Sequence, residues 1–285
     1  MVPPMQGKFA KDNNRLTGVV LVVVSAIVFS SAGIFTKGVS SGSWEIIFWR
    51  GVFAAGFTIV YVLWRKGWKR EFSNMGISGL SVALINATGT AAFIPALKLT
   101  TMANVALVYA TSPLIAALLA WLWIGERLTR KLALGCFFSF AGVAIIFQGS
   151  IGNVNFKGDL LALWMTCALA IIMAIYRRYP NTPAAGPAAL SSLILLPVAL
   201  MFGLPFSVPA NELIILAMFG LVFAIASVTF AEGAKRLSAG ETGLLSALET
   251  PLAPLFGWLV FMEVPVTASF VGGALILAAV VGTQI

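Results

Sequence analysis

The chain has 285 residues, 60% of them hydrophobic and only 10% charged, at a mean hydropathy of +0.98. A water-soluble domain carries about 25% charged residues to coat its surface, so most of this surface faces lipid and a soluble enzyme or binding module is excluded. The net charge of +8 does not mark a nucleic-acid binder, because the basic residues sit in short loops between apolar runs and form no basic face.

A helix needs about 20 mostly apolar residues to cross the hydrocarbon core. Ten such stretches follow one another, at 16–37, 43–64, 76–98, 102–124, 130–149, 158–178, 183–203, 211–235, 240–262 and 266–284. Breaks such as "GVSSGS", "RKGWKREFSN" and "RRYPNTP" carry turn chemistry. The first span follows basic residues, as a secretory signal would. It is read as a retained span because it has a partner later in the chain.

In the second span Arg50 is the one basic residue well inside the apolar stretch, ~10 Å from its outer end. Its planar fork either grips a substrate carboxylate, pairs with Glu45, or snorkels outward. Trp44, Trp49, Trp164 and Tyr109 are candidates for an aromatic cavity wall, able to meet an amine through its cation. By depth Trp44, Trp64, Trp68, Trp121 and Trp123 fit an interfacial belt instead, which leaves Trp49 and Trp164 as the cavity tryptophans. Asn86 and Thr90 in the third span, Asn104 and Thr111 in the fourth and Ser246 in the ninth are polar groups at depth. Each is either an interhelical hydrogen bond or a ligand contact.

Pro113 and Pro251 interrupt the fourth and ninth spans and suggest paired hinges. Pro183, Pro187 and Pro197 predict a poor regular helix for the seventh. Glu249 lies ~15 Å along the ninth span, near the bilayer centre. A charge there costs about 3 kcal/mol on insertion scales, so the carboxyl faces the bundle interior. It is a ligand for a substrate ammonium, a proton carrier, or a neutral acid bonded to a neighbouring helix. Glu126 and Glu263 precede the fifth and tenth spans, where a carboxylate accepts from first-turn amides or serves as a gating acid. Gly135/Ser139 and Ala274/Ala278/Gly282 predict close packing of those two helices, within the bundle or between subunits.

With the N-terminus in the cytoplasm, fourteen of the eighteen basic residues fall on the inner side, three (Lys37, Lys98 and Lys157) on the outer, and Arg50 within a span. That asymmetry predicts cytoplasmic N- and C-termini in a cell membrane, the inner membrane of a bacterium.

Residues 96–114 align with 234–252 at an offset of 138, pairing Ala96, Leu99, Leu107 and Pro113 with Ala234, Leu237, Leu245 and Pro251. After one gap the offset is 137, matching Trp121 to Trp258, Glu126 to Glu263 and Gly135 to Gly272. The first span resembles the sixth at offset 140, with Gly18 and Lys37 meeting Gly158 and Arg177. A five-span unit is therefore used twice. Its copies are a tail at 1–15 with a repeat at 16–149, and a second repeat at 150–285. Five is odd, so the second copy is inverted, the plan of an alternating-access transporter with a midplane site. The second copy keeps the tryptophan and glutamate of "WLWIGERLTRK" but has Val264, Thr267 and Ala268 where Arg127, Arg130 and Lys131 stand. Charge follows the side of the membrane.

The run from Pro113 through "WLWIGERLT", its echo from Pro251 through "WLVFMEV", and the doubled plan resemble the EamA-type drug/metabolite transporter superfamily. Within it the chain is most similar to the exporters of the YddG kind. The resemblance implies export of amino acids, aromatic or large apolar, with a small-molecule substrate, no cofactor and no metal. Sister carriers for nucleotide sugars, sugar phosphates or cationic drugs are the alternative. An intramembrane enzyme is disfavoured. The chain has no histidine, hence no Ser-His or Cys-His nucleophile, and no phosphate-cradling glycine loop for ATP-driven pumping.

Overall fold

The computed structural model describes residues 5–100, 102–147, 155–262 and 267–284, and among them every regular element is helical. The α-helices in chain order are α1 (Met5–Ser30), α2 (Ala32–Lys37), α3 (Ser43–Trp64), α4 (Gly76–Leu99), α5 (Met102–Tyr109), α6 (Ser112–Ile124), α7 (Arg130–Phe147), α8 (Phe156–Arg178), α9 (Ala185–Phe202), α10 (Ala210–Ala234), α11 (Ala239–Ser246), α12 (Glu249–Phe261) and α13 (Thr267–Gln284). Nine helical segments among the described residues are long and apolar enough to span a bilayer. The tenth predicted span, 130–149, corresponds to α7, and its last residues lie outside the described ones.

Three spans are broken. The first divides at Ser31 into α1 and α2, a break the hydrophobic pattern does not announce. There the Ser30 hydroxyl donates to the Ala26 carbonyl at 2.6 Å and Ser31 to Val28 at 2.7 Å, bonds that compete with the helical ladder. The fourth divides between α5 and α6, and the ninth between α11 and α12, at Ala110–Thr111 and Ala247–Leu248. Each break lies just before its proline. A proline lacks an N–H and crowds the carbonyl four residues earlier, here those of Tyr109 and Ala247. The seventh span contradicts its expectation. α9 runs unbroken for 18 residues and carries Pro197 inside it, while Pro187 falls in the first turn, where no ladder bond is lost.

The inverted plan is visible in the close contacts. A Cβ on Gly142 of α7 would sit 2.6 Å from the Gly272 carbonyl of α13, and one on Gly135 would meet Thr283. The higher number on one helix therefore meets the lower on the other, so the fifth and tenth spans run antiparallel. α3 and α9 do the same, with Gly51 against Leu196 and Gly203 against Trp44. Two equivalent spans that run in opposite directions are what an inverted repeat requires. Of the predicted small-residue stripes, Gly135 and Ser139 are buried at this seam, but Ala274, Ala278 and Gly282 face outward. The seam is built on Gly142 and Gly272 instead.

The most extensive packing joins helices of different repeats: α7 with α13, α4 with α8, α3 with α9, and α1 with α10. The sequence halves are thus interleaved and do not form two separate bodies. Two mirrored triplets emerge, α1–α3–α10 and α8–α9–α4. Specific bonds fall inside them, Ser25 to the Ala226 carbonyl (2.9 Å) in one and Asn86 to Ser191 (2.9 Å) in the other.

Replacing Gly272 by leucine drives a side chain into the α7 backbone. It is expected to cost about 1–3 kcal/mol or more of stability, read as a lower melting temperature in detergent, whereas Gly282→Leu on the outward face leaves it unchanged.

Candidate functional site

The fourth and ninth spans, both broken before a proline, cross, and their crossing is lopsided. On the side of the Arg127 loop, α11 packs closely on α6. A Cβ on Gly243 would lie 2.8 Å from Pro113 Cα, and one on Gly240 would lie 3.0 Å from the Ala117 Cβ. The symmetry-related halves α5 and α12, on the opposite side, make no comparable contact among the described residues. Every residue of α11 except Glu241 is buried, while α12 is largely exposed or half-buried. The molecule is closed on its basic face and splayed on the other.

Tyr109 and Glu249 meet at the level of the breaks. Tyr109 ends α5 and Glu249 opens α12, and the phenol donates a hydrogen bond to the carboxylate. This contact joins the two repeats at the breaks in their fourth and ninth spans. Glu249 also sits in the first turn of its half-helix, where the unpaired amides favour negative charge.

Arg50 is the other charged group in the membrane interior. Its guanidinium lies 4.2 Å from the centroid of the Phe223 ring and 5.6 Å from that of Phe219, both on α10. Phe29 of α1 stands edge-on to Phe223 and Phe35 of α2 stacks on Phe219, at 5.6 and 5.4 Å. Glu45 is not its partner, because that carboxylate accepts the Leu204 N–H at 2.7 Å. The Arg50 Nε is buried and bonds to nothing among the described residues. A cation held only by aromatic faces is incompletely compensated.

The remaining candidates separate by what they touch. Trp49 donates its indole N–H to the Pro205 carbonyl at 2.7 Å and packs against Phe48, Phe53 and Phe206. It fastens α3 to the turn after α9 and is not free to line a cavity. Trp164 lies with Leu160 and Leu163 on the exposed side of α8. Asn86 is engaged with Ser191, as the interhelical alternative has it. Thr90 is half-buried on α4. Ser246 is buried and bonds back to the Thr242 carbonyl at 2.9 Å, so it is closed to a ligand. Asn104 belongs to α5, and its side chain, like the whole of Glu263, lies outside the described residues.

Glu126 corrects its expectation. It does not cap α7. Thr129 does so, accepting from the Leu132 N–H at 3.2 Å, while Glu126 pairs with Arg177 in the last turn of α8. Gly125 before it has a φ of +79° and closes α6 in a left-handed cap, with the Glu126 N–H reaching the Ala120 carbonyl at 3.2 Å. The "GER" of the opening repeat is therefore a helix stop followed by an ion pair. Met262 takes the same left-handed position in the second repeat at a φ of +56°.

Interleaved inverted repeats, paired half-helices and two charges in the bilayer interior define a multi-pass membrane transporter of the small-molecule carrier type. The chain belongs to the EamA-like transporter family, whose profile matches residues 16–148 and 156–284. It is similar to the uncharacterized transporter YojE of Bacillus subtilis (strain 168), with 27% identity over 76% of this chain and 74% of that protein. An uncharacterized transporter of Archaeoglobus fulgidus is 24% identical over 92% of this chain and 94% of its own length. The uncharacterized transporter YyaM of Bacillus subtilis is 30% identical, but the match spans only about half of each chain, 46% of this one and 45% of the other. A solved crystal structure superposes with a TM-score of 0.78 over 95% of this chain and 98% of that one, at 19% identity, a likeness of fold alone.

Trp49→Phe keeps the aromatic packing and removes one hydrogen bond. It is expected to lower stability by about 1 kcal/mol and to leave transport rates within twofold, measured by thermal unfolding and by liposome uptake of the same preparation.

Proposed function

We propose that this transporter exports amino acids, aromatic or large apolar ones, from the cytoplasm by alternating access. The single observation that carries the reading is the pair of charges left in the interior. Arg50 has no acidic partner among the described residues, and Glu249 has only a phenol. A zwitterion supplies what each lacks, a carboxylate for the guanidinium and an ammonium for the carboxylate. The phenylalanine rings around Arg50 offer an apolar side chain somewhere to lie. The basic loops orient the closed face toward the cytoplasm, in a cell membrane with both termini inside.

In this mechanism the moving bodies are the interleaved triplets. The opposite state is reached when α6 and α11 part and α5 closes on α12, exchanging the conformations of the two repeats. Glu249 and Tyr109 act as the floor contact that a substrate breaks. Pro113 and Pro251 set where the spans bend, and Glu126 holds the inner junction through Arg177.

Reconstituted protein tests this directly. Labelled phenylalanine is expected to enter liposomes, with Glu249→Gln and Arg50→Ala each lowering the rate at least tenfold. A nucleotide sugar and ethidium, run in parallel, are expected to move poorly. Undiminished uptake by both variants removes the assignment, and ethidium transport abolished by Glu249→Gln transfers it to a cationic drug.

The state itself has a separate check. In a background lacking Cys136 and Cys167, Ala117→Cys with Gly240→Cys places two thiols across the closed crossing within disulfide reach. Oxidation is expected to stop transport and reduction to restore it.

A further inference from the structure

We infer that the basic face carries a binding site for the glycerophosphate headgroup of an anionic phospholipid. A cavity of about 320 Å³ opens between the α6–α7 loop, the start of α11 and the end of α13. Its walls carry two cations, Arg127 and Lys131, and two acids, Glu126 and Glu241. Both acids are already engaged, Glu126 with Arg177 and Glu241 with Arg15 at 2.8 Å and with its own capping serine, Ser238. Arg127 and Lys131 have no acidic partner among the described residues. The cavity therefore presents positive charge that no acid among the described residues answers.

Two further groups narrow the ligand. Among the described residues the second carboxylate oxygen of Glu126 is buried without a hydrogen-bond donor, and the Gln284 amide nitrogen without an acceptor. A buried polar group left unpaired has lost its water partner without a replacement. Gln284 borders a second hollow of about 210 Å³ with Arg15, Leu16 and Val19, beside the Arg15–Glu241 pair. A ligand that satisfies both lobes brings an anion for Arg127 and Lys131, a hydroxyl to donate to Glu126, an acceptor oxygen for Gln284, and apolar chain for Leu16 and Val19. Phosphatidylglycerol has all four in that chemistry. Free glycerol phosphate has the first three. At the equivalent positions of the second repeat the sequence has Val264 and Ala268 in place of the two cations, so the site is expected in one leaflet only.

The test is native mass spectrometry of delipidated full-length protein, titrated with phosphatidylglycerol, phosphatidylcholine or soluble glycerol 3-phosphate. Phosphatidylglycerol is expected to bind at least tenfold more tightly than phosphatidylcholine. Arg127→Ala with Lys131→Ala is expected to lose on the order of tenfold in that affinity, Arg127→Lys with Lys131→Arg to retain most of it, and Arg130→Ala, outside the cavity, to bind as wild type. Equal affinity for the two lipids overturns the site, as does an equal loss in Arg130→Ala, which would mark diffuse attraction. Glycerol 3-phosphate binding as tightly as the lipid transfers the pocket to a soluble phosphate and overturns the lipid assignment.

Discussion

In hydrocarbon no water answers an exposed N–H or carbonyl, so a chain breaks its helices there only where protein or a wet cavity receives the freed groups. This constraint governs where the present molecule can have a site. Its breaks at Ala110–Thr111 and Ala247–Leu248 occupy equivalent places in the two repeats, each dictated by a proline three or four residues on. The Thr111 hydroxyl answers the Val108 carbonyl at 2.6 Å, and the Thr250 N–H answers Ala247 at 3.1 Å. With the local backbone partly repaired, the half-helix start at Glu249 is left to face whatever enters between the repeats.

The same demand explains the carboxylates at the membrane surfaces. Glu212, in the first turn of α10, accepts from the backbone and hydroxyl of both Ser40 and Ser41, ahead of α3. Glu71, in the turn before α4, accepts from the Ala185 and Gly186 amides that open α9, at 2.9 and 3.2 Å. α4 corresponds to α10 and α9 to α3, so these are one device used twice, on opposite faces. Each acid belongs to one repeat and holds a helix start of the other. The clamps tie α10 to α3 and α4 to α9, within the triplets and not between them. Charge therefore reinforces the interleaved bodies that apolar packing defines.

How much of this the sequence disclosed depends on whether the signal was periodic or local. Length and hydropathy fixed ten spans, and the offset alignment fixed the inversion, because both are summed over many residues. Arg50 and Glu249 stood out because a charge inside an apolar run is rare on energetic grounds. Trp49 was misread because depth along a helix does not say which way an indole points or what its N–H meets. Glu126 was misread because an acid before a helix suits a cap, and nothing nearby in sequence reveals Arg177, 51 positions on. The break at Ser31 was missed because paired serines are common in membrane helices and only their rotamers turn them against the ladder.

The lopsided crossing is itself written in the sequence, once the fold says which residues face each other. The closed crossing sets Gly240 and Gly243 against Ala117 and Pro113. The offset of 138 puts Val105, Leu255 and Pro251 at the equivalent positions of the opposite crossing. Glycine lets backbones approach in a membrane where packing, and not hydrophobic expulsion, drives association. Side chains as large as valine and leucine do not allow so close an approach. A duplicated chain with identical repeats would have no preferred side. This one sets its glycines at the closed crossing, and a ligand that binds the other state better would shift it.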